Sequence, residues 1–464
     1  MSGFRLLQQA GNRNSQRPTS GNHMKKFLWG SLALFGLVIA CVLVGSSWIA
    51  QASRATLQEL RTEISAAGDP VYYTDSATDP IPEQDNAYAL ICKAESGVIA
   101  YSELIQKLKE DNPSTGSKSI SDPRNVSPLI LKAQETYFAE NQSLFELLAQ
   151  ASQCKNYRAE IDRKKGFDNS NDYLRASREA ILMLATRANL LASRGDGDAA
   201  IEDCLTGYRI LKLTEQEPSM FGFSSECHGL YHLGAAVHQT LSNSEVSNPL
   251  RESLETQLEQ FELDTALVQA LKSERAIGIQ TFKEFHEASK ESAENPIPIP
   301  TFLVGTSLSQ AYFSDDEITY IEYMNECISL IDQPKNIRDI AIESMTEKLM
   351  ASGFRKFISK LIIPNVTGIL DRKDDATARL RALRILLAVQ HQSDLQIESL
   401  PATTRTDPYT NGDMIARNTG RGWLVYSVGA NLTDDSGSVL PLDPSQPPQD
   451  IGYGPNQTQQ TLAE

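Results

Sequence analysis

Residues 174–213 read LRASREAILMLATRANLLASRGDGDAAIEDCLTGYRILKL, two apolar faces of helical spacing on either side of one turn. Leu174, Ile181, Leu182, Leu184, Ala185, Ala188 and Leu191 recur at steps of three and four and make the first face. Ala200, Ile201, Leu205, Tyr208, Leu211 and Leu213 make the second. Arg194-Gly195-Asp196-Gly197-Asp198 is turn chemistry, with Asp198 placed to cap the second helix. Pro218 ends that helix, and a third follows around Leu230, Leu233, Ala236, Val237 and Leu241. The pattern predicts an antiparallel helical hairpin with a third helix returning across it.

The same period extends in both directions. Upstream, helices are expected over 83–109 and, from Pro128, through Leu148, separated by the turn-rich loop 111–127. Downstream, Asn248-Pro249 opens a helix and Asp264 to Ser292 forms one long helix. Asn295 to Pro300 is a stiff break. Ser314 with Glu317 forms a capping box ahead of Ile318 and Ile321. Further helices are expected at 336–350, 354–370 and 375–391, and no internal repeat is present. Residues 83–400 thus form a helical domain and the fold class is mainly α. After 400 the pattern changes. Met414 to Arg417 and Trp423 to Val428 read as a small β-hairpin, followed by the acidic loop Gly429 to Gly437, which gives a unit over 401–440. Residues 441–464, with many Pro, Gln and Asn, are expected to be a disordered tail.

Ahead of the domain lies FLWGSLALFGLVIACVLVGSSWIA, residues 27–50, without a charge and long enough to cross a bilayer. Residues 51–82 continue it as a juxtamembrane helix and a Pro-rich linker. Residues 1–58 hold six basic side chains and no acid. By the positive-inside rule, 1–26 is a cytoplasmic basic tail and 51–464 is extracytoplasmic, the topology of a signal-anchor in a bacterial inner membrane. Two other readings of the segment stay open. Ala50-Gln51-Ala52 fits a signal-peptide cleavage site, and Val38-Ile39-Ala40-Cys41 fits a lipoprotein box if translation starts at Met24.

The whole chain carries −16, so residues 59–464 carry −22. Such an acidic domain is a poor partner for nucleic acid, which is bound through basic surface. Five cysteines lie in the domain, Cys92, Cys154, Cys204, Cys227 and Cys327. An exported compartment permits disulfides, but five is an odd number and the pairing cannot be read from sequence; buried free thiols are at least as good a reading.

Chemistry-bearing groups are few. His228 and His232 stand one helical turn apart, with Cys227 adjacent and His238 following. Such a pair can grip zinc, but Gly229 stands where the metalloprotease motif needs Glu. Glu274-Arg275, mid-helix, reads either as an ion pair between helices or as a buried general acid or base. In the acidic loop, Asp434 and Asp435 with Asn431 offer hard oxygen ligands suited to calcium.

Gly68-Asp69-Pro70-Val71, Ile81-Pro82-Glu83-Gln84-Asp85-Asn86-Ala87, Ala270 to Arg275 and the end from Asp407 to Gly437 resemble a group of uncharacterised single-pass bacterial membrane proteins. That resemblance implies a membrane anchor and a helical exported domain. Residues 407–437, with Asp-Pro-aromatic-x-x-Gly, a hairpin and Tyr-Ser-x-Gly ahead of Asp-Asp, also resemble the C-terminal end of type II secretion major pseudopilins, whose last loop binds calcium. The chain departs from that pattern: no Gly-x-Tyr-Pro precedes the hairpin, and over 300 residues separate it from the apolar segment. The expectation is a membrane-anchored binding or scaffold module with a protein partner. The alternatives are a hydrolase using Glu274 or the His228/His232 group, and an accessory part of a secretion or pilus-like machine.

Overall fold

The computed structural model describes residues 21–76, 79, 81–111, 126–168, 171–291, 306–391, 396–439 and 449–455. The protein is mainly helical, with one small antiparallel sheet. Helix α1 spans Gly21–Ala66 as one continuous rod. Gly68, at φ +78°, ends it: Asp69 N–H donates to Ile64 O (3.2 Å) and Gly68 N–H to Ser65 O (3.0 Å). That left-handed residue closes the last turn, and Cβ would strain it. Among the described residues no helix is long and apolar enough to cross a membrane. Most side chains between Phe27 and Leu43 lie outside the described ones.

Helices α2 (Ala87–Asp111), α3 (Pro128–Glu140) and α4 (Gln142–Ser152) form the first layer. Pro128 stands in the first turn of α3, as the sequence predicts, and Ser127 caps it. Helices α5 (Arg175–Ser193), α6 (Gly197–Thr214) and α7 (Met220–Asn243) are the expected hairpin and returning helix. The cap differs from expectation by two residues. Asp196 accepts from Ala199 N–H, while Asp198 accepts from Ser247 N–H (2.7 Å) and ties the turn to the next helix. The five domain cysteines are free thiols, with Cys204, Cys227 and Cys327 buried.

Helix α8 (Asn248–Glu259) leads into α9 (Leu263–Glu291), the long helix, which packs on α7 and on α10 (Ser307–Leu330). The Tyr320 ring of α10 lies on α9 at Gly278, where a Cβ would collide with it, and its hydroxyl donates to Glu274 O (2.8 Å). The capping box expected at Ser314 does not start a helix. Helix α10 begins two turns earlier, where Thr306 caps it. Glu317 is drawn instead into an ion pair with Arg61 of α1, so a tertiary contact outcompetes the local one. Helices α11 (Lys335–Ala351), α12 (Phe357–Ile362) and α13 (Val366–His391) follow. The helix expected at 354–370 is broken, and its second half joins α13.

After the short α14 (Ala402–Arg405), β1 (Ile415–Asn418) and β2 (Trp423–Ser427) form the predicted hairpin. The tail expected to be disordered supplies a third strand, β3 (Ile451–Tyr453), paired antiparallel with β2. Its register sets Tyr453 opposite Val425, and Tyr453 reaches α7 where Gly234 leaves room for its hydroxyl. Residues 440–448 and 456–464 of that tail lie outside the described ones. The sheet packs on α13.

Candidate functional site

A cleft of about 1200 Å³ opens between α5, α7, the first turns of α13 and the C-terminal unit. Helical spacing puts Phe221, Ser224, His228 and Tyr231 of α7 on its floor. Phe221 is 40% exposed and Tyr231 37%. Arg178 and Glu179 of α5 form one rim and Asp371, Arg372 and Asp375 of α13 the other. Tyr409 and Asn431 close the end.

Most of the rim charge is already paired. Arg178 bonds Glu179 (3.1 Å), and Glu179 also accepts from Ser102 Oγ (2.6 Å). Arg379 bonds Asp375 (2.9 Å) and lies over the Tyr231 ring at 4.8 Å. Lys335 lies 3.3 Å from Asp371 and 5.4 Å from the Tyr409 ring. Arg372 donates to Ser224 Oγ and has no carboxylate partner among the described residues.

The two histidines touch edge to face, ring centroids 4.5 Å apart. His228 faces the cleft, whereas His232 lines a neighbouring cavity of about 470 Å³. Arg178, Glu179 and Leu182 form a wall common to both. Burial, and then the Arg178 cation, lower the His228 pKa; burial, and then His228, lower His232 to about 4. Both imidazoles are therefore neutral at pH 7. Burial also pushes the Cys227 thiol well up, with Glu226 adding to it, so its thiolate is disfavoured. No group of three or more His, Cys, Asp or Glu stands where it could hold a metal ion among the described residues.

Glu274 does not line this cleft. It is buried on α9, and burial raises its pKa to about 7. The ion-pair expectation is corrected: the partner in the pair is Arg275. Arg275 reaches Asp69 (2.8 Å) and Asn325 (2.6 Å), and the Glu274 carboxylate has no ion-pair partner among the described residues.

In the acidic loop the three proposed calcium ligands are engaged with one another and with the hairpin. Asp434 accepts from Arg417 (3.2 and 3.3 Å) and from the Tyr426 hydroxyl (2.8 Å). Asp435 accepts from Asn431 Nδ2 (2.7 Å). Below them is Asp450, fully buried, which takes the N–H groups of Gly437 and Ser438 (both 2.8 Å) and of Asp435 (3.4 Å). Asp450 carries no signal in the sequence because it sits among tail residues. Nor do Arg372 and Tyr409, which only the tertiary fold brings beside His228. No family model, curated protein or solved structure matches the chain.

Proposed function

We propose that the chain is a single-pass protein of a bacterial cytoplasmic membrane, anchored through Phe27–Ala50 with its N-terminus inside. Its helical domain, outside the cytoplasm, binds a segment of a partner protein in the cleft. The cleft carries this reading. Its volume, about 1200 Å³, exceeds the ~300–1000 Å³ of small-molecule pockets. Its floor offers exposed aromatic rings, and its rim is lined with charges. Aromatic anchors inside a polar rim are the usual anatomy of a protein interface. The anchor is supported by the uncharged segment and by the basic, acid-free chain before it.

The test is co-purification from solubilised membranes. The partner should be retained by the wild type and lost from the Phe221→Ala/Tyr231→Ala variant at unchanged melting temperature. Equal retention would remove the cleft from the account.

A hydrolase reading has one observation in its favour: His228 is neutral and faces the cleft, as a general base must. Glu274 gives it no support, since it does not line the cleft. An accessory role in a secretion machine is supported only by the likeness of residues 407–437.

A further inference from the structure

The domain meets α1 at a defined height. Helix α10 runs alongside α1 in the same direction. Ser47 Oγ donates to Ser307 Oγ (3.1 Å), Arg54 to Gln310, and Arg61 to Glu317. Ser46, Ala50, Leu57 and Ile64 share the face of α1 that the domain buries. Below Ser46, the described side chains of α1 are exposed or partly exposed. The first contact of the domain therefore falls at Ser46 and Ser47, inside the C-terminal end of the apolar segment.

Trp48 marks the same height, and Trp29 the opposite end of the apolar segment. Trp29 and Trp48 lie nineteen positions apart on one continuous helix, or about 29 Å at ~1.5 Å per residue. The hydrocarbon core of a bilayer is about 30 Å thick, and Trp concentrates at its two boundaries. Trp48 is 72% exposed, so the domain leaves it free for lipid.

Charge changes at one level on both helices. From Phe27 to Ser53 α1 carries no charge, and Arg54 is the first. From Ser307 to Ser314 α10 carries none, and Asp315 is the first. Both changes lie about 10 Å beyond the Ser47–Ser307 contact at ~1.5 Å per residue. A headgroup layer is about 5–8 Å deep, so both first charges fall at or just beyond its outer edge. At the bottom of this collar Ile49 and Leu308 are exposed. Between Ser46 and Ala66 there is no glycine or proline to act as a hinge. Asp69, paired with Lys272 (2.9 Å) and Arg275 (2.8 Å), fastens the far end of α1 to α9.

We propose that the domain has no stalk and that its lower rim rests in the lipid headgroups. Trp48 and Ile49 of α1 and Leu308 at the start of α10 are the residues in contact with lipid. The proposal rests on the anchor reading above. Its consequence is that the domain is held at one height and orientation, and that any shift of α10 is transmitted to the membrane helix.

The test uses the full chain in vesicles of phosphatidylethanolamine and phosphatidylglycerol, carrying quencher lipids labelled either near the headgroup or near the bilayer centre. Single-tryptophan variants retain Trp29, Trp48 or Trp423, or carry Leu308→Trp with the three native tryptophans changed to Phe. Trp29, Trp48 and Leu308→Trp should be quenched more by the shallow label than by the deep one, and Trp423 by neither. Tyr312→Trp, a conservative exchange one turn further along α10, is the second reporter should Leu308→Trp fail to fold, and it should respond to the shallow label alone. Quenching of Trp29 and Trp48 with none at 308 or 312 would mean that the domain stands off the membrane, and would overturn the proposal. Quenching of Trp29 but not Trp48 would mean that a second copy covers that face, and would overturn it too. No quenching at either native tryptophan would overturn the anchor reading itself.

Discussion

The Tyr453 ring stacks on the His238 ring, centroids 5.1 Å apart and planes at 29°. The contact joins the last strand to α7, the helix that returns across the hairpin. It is possible because α7 has glycine at 234, where the Tyr453 hydroxyl approaches the helix backbone. Tyr453 is 6% exposed, and Tyr453→Ala should lower stability by about 3 kcal/mol, the range for removing a buried ring. Chemical denaturation of the variant checks this; an unchanged midpoint would mean that β3 is a passive tail. Burial also lowers the His238 pKa to about 4, against 6.5 when unfolded. A lowered imidazole contributes stability above pH 6.5 that is lost as pH falls toward 4. His238→Gln should flatten that part of the stability profile.

Glu274 has the opposite sign. Its carboxyl titrates at about 7 folded and 4.5 unfolded, because burial disfavours the charge. Stability from this group is full below pH 4.5 and is lost as pH rises through 7. The loss is on the order of 3 kcal/mol for a shift of that size. Glu274→Gln should therefore match the wild type at pH 4.5 and exceed it at pH 8.5. Urea melts at the two pH values decide; a variant weaker at pH 8.5 would mean that the carboxylate is stabilised by a partner.

Asp374 and Arg338 are 1% and 2% exposed and form a two-point pair, 2.6 and 3.4 Å. Burial alone would raise the Asp374 pKa, but Arg338, Lys373 and Lys335 outweigh it and hold the group below its ordinary value. Asp374→Ala leaves a buried guanidinium without its main partner, and should cost about 3–5 kcal/mol. Thermal melting tests this, and a loss under about 1 kcal/mol, the scale of exposed pairs, would contradict it.

How much of this was legible in the sequence depends on the range of each interaction. The hairpin over 174–213 was readable because its period is local and repeated. The β1–β2 hairpin was readable because turn residues separate two short apolar runs. Ile-Gly-Tyr at 451–453 is too short to show a period, and it is a strand only because β2 pairs with it. Ser314 and Glu317 have the spacing of a capping box but lie inside α10, and Glu317 pairs instead with Arg61, 256 residues away. In the cleft His228 was singled out by its spacing to His232. Arg372 and Tyr409 carried no such signal, since their neighbours at the cleft come from distant segments.

The acidic loop offers a direct metal test. Arg417 pairs with Asp434, one of the carboxylates expected from the sequence to ligate calcium. Calcium should therefore raise the melting temperature of Arg417→Gln more than that of the wild type, by mass action on the native state. Asp434→Ala/Asp435→Ala should not respond. Equal melting of Arg417→Gln in calcium and in chelator would remove the site.

The cleft is proposed to receive a segment of a partner protein. A photo-crosslinking amino acid placed at Phe221, inside the cleft, should capture one discrete protein in intact cells. The same group at Ile340, 69% exposed on α11 and outside the cleft, should not. A discrete adduct at 221 that disappears in the Tyr231→Ala background is the predicted result. No adduct at 221, or the same adduct from both positions, would contradict it.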